Sequence, residues 1–135
     1  MTRVAIWASA TVALLTVSAC TSTKSGSEAK SADASGQQCF FANNVQNFVV
    51  VNSQTVNIRV GRDIYRLDMF GNCPNLTWTE GMVLRSTAGS PVCTGNGLGV
   101  SVVTLGFNGP QQCSVQSITL LTPEEVAALP ARDKP

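Results

Sequence analysis

Histidine is absent from the 135-residue chain, and charged residues make up only 13% of it. The lack of histidine removes the most common general base and the most common metal ligand of proteins. The charged fraction is about half that of an average soluble domain, and the formal net charge is +1. The sequence therefore predicts no metal and no other cofactor. It also predicts no nucleic-acid partner, because such a partner requires a basic surface.

The first twenty residues have the layout of an exported lipoprotein. A positive start at Arg3 precedes a mainly apolar run that ends in two small residues before Cys20. Residues 17–20, Val-Ser-Ala-Cys, resemble the lipobox of bacterial lipoproteins, in which the cysteine is lipidated and the leader is cut just before it. We predict a signal peptide over residues 1–19 and a lipid anchor at Cys20. The alternative is an ordinary secretory cut beside an incidental cysteine.

The predicted lipidated cysteine is followed by a spacer, so that residues 20–38 form the anchor and its tether. Residues 21–38 contain no aromatic residue and no Val, Ile or Leu. Such a segment cannot bury enough apolar area to offset the entropy of ordering it, so we expect a flexible tether. The resemblance places the protein in the cell envelope, facing the periplasm. Thr21 favours the outer membrane over the inner one.

Residues 39–129 form the predicted folded body. Runs rich in Val, Ile and Thr alternate there with Gly, Asn and Pro, which indicates short strands joined by turns. The predicted class is mainly β: a small antiparallel meander, barrel-like or sandwich domain with a short C-terminal helix and two disulfides. The six predicted strands are 48–51, 55–60, 63–70, 82–86, 99–105 and 115–121.

Two predicted hairpins share one buried face. Their turns are Ser53–Gln54 and Gly61–Arg62, and glycine in the first central position suits a type II′ turn. Since a shift of one residue would send every side chain to the opposite face, the register of each hairpin is a specific prediction. The expected facing pairs are Val51 with Val56, Val49 with Ile58, Ile58 with Tyr65, and Val56 with Leu67.

The C-terminal helix has a clear start signal. Thr122 is the expected N-cap, Pro123 suits the first helical position, and Glu125 completes a capping box. Pro130 limits the helix to about two turns. We expect residues 130–135 to form a frayed tail.

Four cysteines remain beyond Cys20, an even number that predicts two disulfides in an exported small domain. They are Cys39, Cys73, Cys93 and Cys113. Three pairings are possible, and we favour the nested one, Cys39 with Cys113 and Cys73 with Cys93. It would join the first strand to the last.

Several motifs together resemble the small proteobacterial lipoproteins known only as a domain of unknown function. The resemblance would span Cys39 to Leu129 and implies an architecture and a cellular address, but no activity, ligand or catalytic residue. The motifs, besides the lipobox, are Cys39-Phe40, Val56-x-Ile58-Arg59-Val60-Gly61-Arg62-x-x-Tyr65-Arg66-Leu67-Asp68, Gly71-x-Cys73-Pro74-x-Leu76, Cys93, Gly109-Pro110 and Leu121-Thr122-Pro123-Glu124-Glu125-Val126.

The polar face of the second predicted hairpin carries candidate ligand-binding residues. Arg59 and Arg66 would be diagonal neighbours there, close enough to hold a phosphate or carboxylate, and Asp68 would lie on the same face. The alternative is a solvated sheet face with ordinary cross-strand pairs.

Trp78 is the fourth candidate, as part of a stacking platform for a sugar or peptide with Tyr65 and Phe70. The alternative is that these rings fill the core. Asp68 and Glu80 are the carboxylates that a small hydrolase would use, although their spacing does not indicate that they converge.

The sequence favours a non-enzymatic interaction or structural module, attached to a membrane by its lipid, with an envelope protein or glycan as partner. One alternative is an exported inhibitor of a hydrolase that would display the loop Ser86–Gly99. The other is a small hydrolase or ligand-binding enzyme that uses Asp68 and Glu80.

Overall fold

Residues 31–32, 36–106 and 109–135 are described by a computed structural model of the chain. The predicted leader, the lipidation residue Cys20 and most of the predicted tether lie outside the described residues. Within them, ten strands, one α-helix and four 3-10 turns form. The strands are β1 (Ser31–Ala32), β2 (Gln38–Phe40), β3 (Val45–Asn52), β4 (Thr55–Val60), β5 (Asp63–Met69), β6 (Met82–Ser86), β7 (Val92–Cys93), β8 (Gly95–Asn96), β9 (Val100–Gly106) and β10 (Gly109–Leu120), followed by the helix α1 (Pro123–Ala128).

The strands form two antiparallel sheets. The larger sheet has the order β3-β4-β5-β10-β9-β6, with β8 paired to β10, and it curls into a half-barrel. The smaller sheet has the order β1-β2-β7. The predicted class is confirmed, and among the alternatives it contained, the structure is the barrel-like one. Among the described residues, the half-barrel leaves β3 and β6 as edge strands, each paired on one side only.

The β4–β5 hairpin has the register that the sequence predicts. Val56 faces Leu67, Ile58 faces Tyr65, and Val60 faces Asp63 across the turn. The first four of these side chains are at most 2% exposed. Gly61 has a φ of 61°, as the first central residue of a type II′ turn requires, and this conformation is easy only for glycine.

The predicted register of the β3–β4 hairpin is wrong by one residue. Its turn is Ser53–Gln54 as expected, but Val50, not Val51, faces Val56, and Phe48, not Val49, faces Ile58. The cause is a β-bulge between Val50 and Asn52, which places one extra residue on β3 and exchanges its two faces. Phe48 and Val50 therefore pack against the core.

The other predicted strands and the helix start are close to prediction, whereas the short strands β1, β2, β7 and β8 are not among the six predicted ones. β6 has the expected bounds, whereas β10 begins at Gly109, six residues before the predicted start at 115. The added segment has poor strand formers, and its pairing with β9 decides its conformation. The capping box is confirmed: Glu125 N donates to Thr122 Oγ1 at 3.2 Å, and Thr122 N donates to Glu125 Oε2 at 2.7 Å.

One main hydrophobic core lies inside the half-barrel. The smaller sheet contributes to it, because Phe40 and Val92 belong to the same buried cluster as the strands of the larger sheet. The rings of Phe40 and Tyr65 lie 4.6 Å apart between centroids, a separation typical of a favourable aromatic pair. The buried cluster is completed by Val56, Ile58, Leu67, Met69, Cys73, Leu76, Leu84, Val100, Val102, Val115 and Ile118.

Two disulfides form from the four predicted cysteines, but the favoured pairing is wrong. The bridges are Cys39–Cys93 and Cys73–Cys113, so they interleave along the chain instead of nesting. The physical reason is strand pairing: β2 lies beside β7, and Cys39 is the register partner of Cys93. A two-residue strand such as β7 is too short to recognise from its sequence pattern.

The last residues are docked onto the sheet, in contrast to the predicted frayed tail. Residues Ala131–Asp133 form a 3-10 turn, and the carbonyl oxygen of Asp133 accepts a hydrogen bond from Asn57 Nδ2 at 2.9 Å. Asn57 is fully buried, and Pro135 is buried as well. The ordered body therefore extends to the end of the chain. It also begins before Cys39, since Ser31–Ala32 pairs with β2.

Candidate functional site

Asp68 lies on the outer face of the half-barrel, where the predicted register puts it. It faces Thr55 on β4 and Ser117 on β10. Thr55 Oγ1 donates to Asp68 Oδ1 at 3.0 Å, and Ser117 Oγ donates to Oδ2 at 3.3 Å. Both carboxylate oxygens thus have hydroxyl partners within the sheet, which gives Asp68 a structural role across three strands.

Arg66 also has a partner within the sheet. Its Nε donates to Asn57 Oδ1 at 3.4 Å, and Asn57 in turn donates to Asp133 in the docked C-terminal segment. Arg59 remains exposed. The face that was expected to be open to an anion is therefore covered at its centre by the chain's own C-terminus. Asn57 faces Arg66 as the hairpin register predicts, but the sequence does not show that Asn57 is buried by the C-terminal segment.

Trp78 is 81% exposed at the end of a 3-10 turn, Pro74–Trp78. It lies away from the three polar candidates, in a hollow of about 450 Å³ that it lines with Glu80 and Leu105 among others. Tyr65 is buried in the core, so the expected platform of neighbouring rings does not form. Asp68 and Glu80 lie in different places, since the hollow that contains Glu80 does not include Asp68.

A concave surface lies between β3 and β6, the two edge strands of the half-barrel. It encloses about 700 Å³. We call it the edge groove. Its lining consists of Phe41, Ala42, Asn43, Val45, Gln46, Asn47, Phe48, all five residues of β6 (Met82 to Ser86) and Gly89.

The lining of the edge groove is mainly apolar and carries one positive charge. Phe41 is 51% exposed and Val83 is 56% exposed, so the groove presents two large apolar side chains to solvent. Among the described residues that line it, Arg85 alone carries a formal charge. Within the part of the chain that the structure describes, Arg85 has neither a hydrogen-bond partner nor a salt-bridge partner.

The sequence contained no signal for this groove. Val83 and Arg85 alternate with Leu84 as any half-buried strand would. Only the strand order shows that β6 is an edge strand, and only the curl of the sheet brings it near β3. Strand alternation identifies the two faces of a strand but not its position in a sheet.

The loop between β6 and β9 is held firmly. Its ends are joined by hydrogen bonds from Thr87 N and Thr87 Oγ1 to the carbonyl oxygen of Gly99, at 2.9 and 3.1 Å. Gly97 lies so close to the carbonyl oxygen of Val115 that a Cβ atom would collide with it. Next to Gly99, Leu98 is 75% exposed. The glycine-rich segment is thus a packed loop that displays one apolar side chain.

The pKa of the core residue Tyr65 is shifted by its surroundings. Burial, and to a smaller degree the negative charge of Asp63, raise the pKa of Tyr65 above its ordinary value of 10.0. The phenol is only 2% exposed and therefore stays neutral at physiological pH.

A family model described as a family of unknown function, DUF6491, matches residues 1–134. The chain belongs to this family. No curated protein and no solved structure matches the chain. Membership of DUF6491 agrees with the resemblance to a domain of unknown function. Among the described residues of this DUF6491 chain, no helix is long and apolar enough to cross a membrane, and no group of three or more Cys, Asp or Glu side chains is placed to hold a metal ion.

Proposed function

We propose that the protein is an envelope lipoprotein, anchored through Cys20, whose body is a non-enzymatic interaction module that binds its partner at the edge groove. The observation that carries the proposal is the exposure of Phe41 and Val83 on the rim of a 700 Å³ concavity. Exposed apolar side chains that surround a concave surface are typical of binding sites. The two disulfides support export, because such bonds persist in oxidising compartments.

The anchor is tested by metabolic labelling of the native host with a fatty-acid analogue. The full chain should carry the label and lose it in Cys20→Ser. A chain without label, still attached to its leader and with four free thiols, would contradict the proposed address.

The interaction site is tested by placing a photo-crosslinking amino acid at position 83 of the full chain in its native envelope. We expect one discrete protein adduct from position 83 and none from position 62, an exposed turn residue that does not line the groove. Equal adduct patterns at both positions, or none at either, would refute an interaction site at the groove.

A second candidate, an inhibitor of a hydrolase, is favoured by the rigid loop that displays Leu98. Loops held by a scaffold at both ends bind with little loss of entropy. The same crosslinker at position 98 separates the two functions. A hydrolase captured from position 98, with no adduct from position 83, would favour the inhibitor.

A further inference from the structure

The two edge strands that flank the groove differ in regularity. β3 is interrupted by two register shifts, near Gln46 and near Val51. β6 is paired to β9 over five consecutive residues without any shift. Bulges are one of the devices by which proteins protect an edge strand from further pairing. β3 has this protection, whereas β6 offers a regular backbone.

The free edge of β6 faces the groove. All five of its residues line the cavity, and among the described residues its backbone forms hydrogen bonds with β9 but with no other element. In an antiparallel pair, the N–H and C=O groups of alternate residues point away from the partner strand. β6 therefore presents unpaired donors and acceptors to a cavity of about 700 Å³.

The side chains around this edge indicate what an added strand would carry. Phe41 and Phe48 line the groove beside Val83 and provide contacts for apolar side chains. Arg85 supplies the single charge, and no carboxylate among the described lining residues neutralises it. The complementary ligand is an extended segment with apolar residues and a carboxylate.

We propose that the edge groove binds an extended, acidic peptide segment of a partner protein, which adds to β6 as a further strand and places a carboxylate on Arg85. The proposal rests on the interaction role proposed above and names its partner class. Five residues of β6 correspond to about 16 Å of paired strand. Main-chain hydrogen bonds would supply affinity, and the alternate side chains specificity, as in other cases of strand addition.

The test is binding of fluorescent peptides of about eight residues to the full lipid-anchored chain in detergent. One peptide alternates Val with Glu, and its counterpart alternates Val with Lys. We expect the acidic peptide to bind at least about tenfold more tightly. In Arg85→Glu the preference should reverse, while the matched control Arg62→Glu, at the exposed β4–β5 turn, should keep it. A preference that Arg85→Glu leaves unchanged would overturn the assignment of the carboxylate to Arg85.

A second measurement needs no protein variant. N-methylation, moved one residue at a time along the acidic peptide, removes one N–H donor at each step. Strand addition predicts weakened binding at every second residue, because only alternate N–H groups point to β6. Loss at all positions, or at none, would overturn strand addition.

Sedimentation of the full chain without peptide tests whether a second copy of the chain occupies the groove. A dimer that Arg85→Glu dissolves would show that a second copy fills the groove, and would overturn the peptide proposal. The outcomes also separate the proposed interaction site from the proposed strand addition. A discrete adduct from position 83 without peptide binding would reject strand addition and leave the interaction module standing.

Discussion

The outer face of β4–β5 and the edge groove are two regions that the strand pattern leaves without a partner, yet only one is covered. The C-terminal segment lies over the first and buries Asn57 completely. Nothing among the described residues covers the second, where Phe41 and Val83 stay about half exposed. The polar composition of a strand face therefore does not indicate whether that face is exposed to solvent. The polar face is the closed one, and the apolar rim is the open one.

The largest expected effect on stability concerns the disulfide Cys39–Cys93, which lies near the groove in the chain. Cys39–Cys93 joins β2 to β7, and the chain continues from β2 directly to the groove residue Phe41. The double substitution of Cys39 and Cys93 by Ser should lower the free energy of unfolding by about 4 kcal/mol, from the entropy of an opened loop of 54 residues. Urea unfolding of the full chain measures this. A loss below about 1 kcal/mol would contradict the entropic account.

The second-largest effect concerns Asn57 on the outer face of β4–β5, which the C-terminal segment covers. Asn57→Ala removes a buried amide that bonds to Asp133 and Arg66 and leaves the Asp133 carbonyl without that donor. We expect a loss of about 2 kcal/mol, measured by the same unfolding experiment. Asn72→Ala, at an exposed loop position, is the matched control and should have little effect. Equal losses in the two variants would show that the docked segment does not seal this face.

The pH dependence tests the core that lies between the two regions. Because the pKa of Tyr65 is raised in the folded protein, the unfolded chain loses this proton first as the pH rises. Stability should therefore be unaffected by this group below pH 10 and should fall as the pH rises above it. Tyr65 is the only tyrosine in the chain, so absorbance near 295 nm reports its ionisation alone. Tyr65→Phe should abolish this contribution, and a titration midpoint at or below 10.0 would contradict burial.

The smallest expected effect on stability concerns Val83 in the edge groove. Val83→Ser changes a side chain that is 56% exposed, so the free energy of unfolding should change by no more than about 0.5 kcal/mol. Peptide binding should nevertheless weaken. Leu84→Ser is its neighbour on the buried side of β6, at 7% exposed, and should lose several times more stability. A large loss in Val83→Ser would mean that the rim is part of the core.

The sequence predicted the β4–β5 hairpin down to its register, because two local signals agree there. Strict alternation defined the faces, and glycine in a two-residue turn determined which residues oppose each other. The β3–β4 hairpin also has a two-residue turn, but without glycine, and a single bulge exchanged its faces. A bulge depends on the twist and edge position of a strand, so alternation alone could not reveal it.

The candidate site was predictable only in part. The outer-face residues Arg66 and Asp68 lie in the expected register, but the burial of Asn57 depends on the docking of the C-terminus, and the contact of Asp68 with Ser117 depends on the position of β10. Arg85 and Val83 were not candidates, because the sequence does not show that β6 is an edge strand.

Local physical chemistry by itself determined the faces of β4 and β5, the type II′ turn and the capped helix, since each depends on residues only a few positions apart. The tertiary structure decided the interleaved disulfides, the closed polar face and the open apolar groove. These features join residues about 30 to 80 positions apart, and such contacts depend on strand order and sheet curl, which short-range sequence patterns do not encode.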